Sequence, residues 1–103
     1  MDEEMIMNLI VNAGEARSKS LLALRAAKNK DFELCDGYLK QASAACLEAH
    51  KQQTELIQKE AAGEKQEVTL IMVHAQDHLM NALAIRDLVV EMVDYIKTAA
   101  GGQ

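Results

Sequence analysis

Between Val68 and Ile96 the apolar residues recur at helical spacing. Val68, Ile71, Ala75, Ala82, Ile85, Val89, Met92 and Ile96 form a seam at heptad intervals that only His78 interrupts. A second row, Leu70, Val73, Asp77, Met80, Ala84 and Leu88, lies round the helix from the first and is apolar except for its one carboxylate. A helix with two apolar faces needs two sets of partners. Upstream, Ile6, Leu9, Ile10, Ala13, Leu21 and Leu24 mark the inner side of a helix predicted over Glu3–Lys28. Cys35, Leu39, Ala42, Cys46, Ala49, Leu56 and Ile57 do the same for a second over Phe32–Ala61. Asn29-Lys30-Asp31 separates these two, with Asn29 as left-handed terminator and Asp31 as the next N-cap. Ala62-Gly63-Glu64-Lys65-Gln66 is a second polar break, and the third helix then runs to about Lys97, with Gln76, Asp87, Glu91 and Asp94 on a narrow solvent face.

The pattern predicts an all-α fold, an up-down-up antiparallel three-helix bundle, because short connections force neighbouring helices antiparallel. Residues 1–98 form one domain and residues 99–103, without periodic apolar positions, a flexible tail. A single bundle would leave the second row of helix three in water. The sequence therefore predicts an oligomer packed through that helix, without fixing the number of copies.

Composition narrows the function. The formal net charge is -5, and no basic cluster offers the phosphate neutralisation on which nucleic-acid affinity depends. No segment approaches the roughly 20 apolar residues of a membrane span, and the acidic start Met1-Asp2-Glu3-Glu4 is opposite in charge to a secretory leader, so a cytoplasmic location is expected. Cys35 and Cys46 lie on one helix, about 16 Å apart at 1.5 Å rise per residue, too far to bridge. They read as small buried hydrophobes.

The candidate chemistry sits in helix three. His74, Asp77 and His78 stand at i, i+3 and i+4, on neighbouring parts of one helical surface. A carboxylate in an apolar stripe costs several kcal/mol unless paired or neutralised. Packed and hydrogen-bonded side chains would satisfy the pattern, and three sharper readings compete with that. His-x-x-x-His is metal-ligand spacing, but the glutamate base of zinc proteases is replaced by Ala75. A histidine oriented by an aspartate suits general acid–base work, but no serine or cysteine nucleophile lies in the segment. A histidine can also itself accept a phosphoryl group. The residues alone leave these level. Elsewhere, His50, Gln53 and Thr54 form a polar group on helix two, with His50 read as a structural hydrogen-bonder, and Gly14 interrupts helix one, where its use is close helix contact.

The run Val73-His74-Ala75-Gln76-Asp77-His78-Leu79-Met80 resembles the active-site signature of the lactose/cellobiose-type (N,N'-diacetylchitobiose) enzyme IIA of the bacterial sugar phosphotransferase system. Asn12-Ala13-Gly14-Glu15-Ala16-Arg17-Ser18, Glu48-Ala49-His50 and Gln53-Thr54 agree with it, so the likeness spans nearly the whole chain. The resemblance implies a homotrimer of nine helices with helix three innermost. It implies that His74 is the phosphohistidine nucleophile, accepting phosphate from phospho-HPr and passing it to a cysteine of a cognate enzyme IIB during uptake of a β-linked disaccharide (cellobiose, lactose or chitobiose). Gln76 and His78 are the nearest candidate phosphate contacts. It also implies that Asp77 meets its symmetry mates on the three-fold axis around a divalent cation, for which oxygen ligands favour Mg2+. The competing class is a non-catalytic helical trimer with a structural metal site.

Overall fold

The computed structural model describes residues 3–101, which form three helices: α1, Glu3–Lys28; α2, Phe32–Ala61; and α3, Leu70–Gly101. They make the all-α, up-down-up bundle expected. It is a rod of 57 × 20 × 18 Å with a radius of gyration of 16.2 Å, against about 13 Å for a compact globule of this length.

Local chemistry places the turns. At the end of α1, Asp31 N–H bonds Ala26 C=O and Lys30 N–H bonds Ala27 C=O, a Schellman closure. The left-handed residue is Lys30, at φ 61°, not Asn29. Those two bonds place the left-handed position one residue after the helix cap, and Asn29 is the cap. Asp31 N-caps α2 as expected, its Oδ1 accepting from Leu34 N–H at 3.2 Å. Gly63, at φ 95°, closes α2 in the same way, with Glu64 N–H bonded to Lys59 C=O. Thr69 opens α3, its hydroxyl accepting Met72 N–H at 3.2 Å. Val68 therefore lies before the helix and does not head its seam. Losing that cap should cost about 1 kcal/mol, so Thr69→Ala is expected to lower the urea midpoint modestly without changing the slope. At its other end α3 continues past Lys97 through Ala99 and Ala100 to Gly101, because alanines sustain a helix by propensity alone. The proposed tail at 99–103 is thus helical as far as 101, and Gly102 and Gln103 lie outside the described residues.

Small side chains set the packing. One core cluster joins Ile6, Leu9, Ala13 and Ala16 of α1 to Ala45, Cys46, Ala49 and Leu56 of α2 and Met72, Ala75, Leu79 and Ala82 of α3. A second joins Ala23, Ala26, Ala27 and Cys35 to Val89 and Val93. Between them lies Ser20, fully buried, its hydroxyl donating to Ala16 C=O at 2.7 Å. α1 packs along both other helices, whereas α2 and α3 touch each other far less. Within the chain α1, not α3, is therefore the central helix. The buried face of α3 is also rotated from the predicted seam. Its deep positions are Met72, Ala75, Leu79, Ala82, Val89 and Val93, with Arg86 at the one polar place, donating to Ser43 Oγ at 2.9 Å. Ile71 and Met92, assigned to the seam, are exposed at its edge.

The second row of α3 is left in water as expected: Leu70 is 86% exposed, Val73 51%, Met80 54% and Leu88 62%. Both cysteines are buried and unbridged, and burial pushes each thiol above its ordinary pKa, which removes them as nucleophiles. Far from the N-terminal turns of α3, Lys97 holds Asp36 at 2.6 Å and lies 6.0 Å from the Phe32 ring centre. The hydrogen bond to Asp36 raises the Lys97 pKa, but the pair is exposed to solvent and adds little stability.

Candidate functional site at the start of α3

α1 and α3 run in the same direction, so the N-terminal half of α3 lies beside the first turns of α1 and the last turns of α2. The three segments singled out in the sequence meet at this level. Asn12 Nδ2 donates to Gln52 Oε1 at 3.4 Å across α1 and α2. Gln53 Nε2 donates to Gln76 Oε1 at 2.7 Å across α2 and α3. A Cβ placed on Gly14 of α1 would stand 3.4 Å from His78 Nε2.

His74 is exposed and His78 half-buried against α1. Their rings lie nearly parallel, 14° apart with centroids at 5.8 Å, within the range of offset stacking. The structure thus brings the two histidines together and leaves the outer one open to a partner. Gln76 goes elsewhere. Two residues of helix turn it about 200° from His74, where it binds Gln53 and its Nε2 approaches Met72 sulfur at 3.8 Å. The solvent face proposed for it is wrong, because the Gln53 amide supplies a partner between α2 and α3. As a phosphate contact Gln76 does not share His74's side of the helix.

Asp77 is exposed and accepts from Asn81 Nδ2 at 3.3 Å. It borders an open apolar groove of about 450 Å³ between α2 and α3, with Leu56, Ile57, Val68, Val73 and Met80 among its walls. Among the described residues no three His, Cys, Asp or Glu side chains gather closely enough to hold a metal ion. A cation at Asp77 would need ligands from other copies of the chain. His50 is exposed on α2, bordering a shallow depression with Lys51, Thr54 and Gln58. The sequence reading missed Gln52 and the pairing of Gly14 with His78. An interior glycine in an otherwise sound helix was the available signal for the latter.

Chemically, the site offers one accessible imidazole braced by a second, and no exposed thiol. No helix among the described residues is long and apolar enough to cross a membrane. The family model described as "PTS system, Lactose/Cellobiose specific IIA subunit" matches residues 4–97. The lichenan-specific phosphotransferase enzyme IIA component of Bacillus subtilis is 47% identical over 92 residues, which cover 89% of this chain and 84% of that protein. The crystal structure of the cellobiose-specific enzyme IIA from Bacillus anthracis superposes with a TM-score of 0.93 at 42% identity, covering 100% of this chain and 96% of the other. The IIA(chitobiose) chain in the solution structure of its HPr complex, from Escherichia coli, superposes with a TM-score of 0.81 at 40% identity over 95% of both chains.

Proposed function

The chain belongs to the lactose/cellobiose-specific IIA family of the sugar phosphotransferase system, and from that premise we propose that it is a phosphoryl carrier working through His74. A ring nitrogen of His74 attacks the phosphorus of phospho-HPr. The phosphorus–nitrogen bond of the donor breaks, and its electron pair returns to the donor imidazole. A thiolate of a cognate enzyme IIB then attacks the same phosphorus and releases His74. Positioning and electrostatics dominate such transfers, so the carrier needs little beyond an accessible, oriented imidazole. The observation that carries the reading is the exposed His74 ring stacked on His78 where the three family-like segments meet. The HPr complex of the chitobiose relative supports HPr as donor. Relatives named for cellobiose, N,N'-diacetylchitobiose and lactose support uptake of a β-linked disaccharide. The role places the chain in the cytoplasm. Mixed with HPr, enzyme I and phosphoenolpyruvate, the protein should gain one acid-labile phosphate per chain. A purely structural helical module would gain none.

The working unit is a homotrimer of nine helices with α3 innermost. What supports association is the row Leu70, Val73, Met80 and Leu88, too apolar and too exposed for a lone chain, and the family resemblance supplies the number three. The family resemblance implies that the three Asp77 carboxylates of such a trimer meet on its axis. Alone they repel one another in an apolar setting, and a divalent cation, Mg2+ or a similar hard ion, suits their oxygens and offsets both repulsion and desolvation. Chelator is expected to lower the dissociation midpoint of the native trimer. Asp77→Asn removes all three charges, so its trimer should hold in chelator and still accept phosphate. Thermal or dilution-induced dissociation of both proteins, with and without chelator, checks this, and equal chelator sensitivity would refute the axial carboxylates.

A further inference from the structure

Gly14 lies inside a 26-residue helix, and neither turn nor strain requires a glycine there. Its neighbour across α1 and α3 is His78 Nε2, 3.4 Å from where a Cβ would stand. The other interior helical glycine with a described environment, Gly37, would meet nothing within 4 Å. The bare α-carbon of Gly14 is thus a seat for the His78 ring. With its edge held against α1, that ring lies 14° from parallel to His74 at a centroid distance of 5.8 Å. Its flat face limits how the outer imidazole can rotate. A nucleophile whose reacting nitrogen must lie in line with an incoming phosphorus loses rate when it rotates freely.

We propose that Gly14 is a positioning residue for phosphoryl transfer, acting through His78 on the orientation of the His74 ring. The inference rests on His74 as the acceptor. It gives His78 the part of a platform, and it gives a role to a residue of α1 that touches neither phosphate nor donor. A side chain at position 14 would push His78 off its seat, and His74 would lose the face it rests on. An alanine meets His78 only at the edge of ordinary contact, so its effect is small. A leucine fills the seat.

The experiment is a double-mutant cycle in the initial rate of phosphate acceptance from phospho-HPr, read beside histidine ring resonances by NMR. Gly14→Leu should slow acceptance roughly tenfold and shift the His74 ring signals towards those of His78→Ala, with helicity and assembly kept. In the His78→Ala background, Gly14→Leu should slow it no further. Gly37→Ala should leave the rate at the native value. If Gly14→Leu fails to assemble, Gly14→Ala carries the ring-resonance arm, where both histidines should move by a smaller step in the same direction. A native rate in Gly14→Leu, or two slowing factors that simply multiply, overturns the proposal. The ring resonances report the seat even in a protein that takes no phosphate, so failure of the carrier reading and failure of the seat are told apart.

Discussion

Leu88→Lys is expected to convert the assembly into single chains while leaving the three helices folded. Leu88 is 62% exposed in the isolated chain and absent from both core clusters, so a lysine there should cost the bundle little. In the proposed trimer the same position would lie in the row that closes against its symmetry mates. Each ammonium buried there without a partner costs several kcal/mol even after relaxation, and three enter together. Since about 1.4 kcal/mol is a tenfold change in equilibrium constant, dissociation at micromolar concentration should be complete. Light scattering with mass resolution should give three chains for the native protein and one for the variant, with unchanged helical circular dichroism. A native protein that is already monomeric would remove the reason for Val73, Met80 and Leu88 to be apolar.

The helices were legible in the sequence because the residues that bound them act locally. Asp31 caps the turn beside it, and Gly63 supplies a left-handed residue where α2 ends. The rotation of α3 was not legible, since a helix apolar on two faces has a period that does not say which face meets its own chain. Met72, Leu79 and Val93 went to the deep core, and at the place in their heptad that would break the pattern, Arg86 donates through Nη2 to Ser43, forty-three residues away, while its Nε stays buried without a partner. A partner 23 residues away likewise hid Gln76. Its composition reads as a solvent position until Gln53 is brought against it. For the site, spacing alone put His74 and His78 on one surface, and their ring geometry agrees. Spacing could not show that His78 lies on Gly14, because that depends on the register of α1 against α3.

His74→Gln is expected to abolish phosphate acceptance altogether, the largest functional effect in the protein. Glutamine keeps a polar side chain of moderate size at an exposed position, so fold and assembly should survive, but it has no nucleophilic ring nitrogen. The two cysteines cannot substitute, being buried with raised thiol pKa values. His50, the other exposed histidine among the described residues, lies on α2 and lacks the stacked partner that His74 has. The deciding measurement is the acid-labile phosphate per chain after incubation with phosphoenolpyruvate, enzyme I and HPr, for the native protein, His74→Gln and His50→Gln. The native and His50→Gln proteins should each carry one phosphate and His74→Gln none, whereas phosphate persisting on His74→Gln, or lost only from His50→Gln, would contradict the assignment of His74.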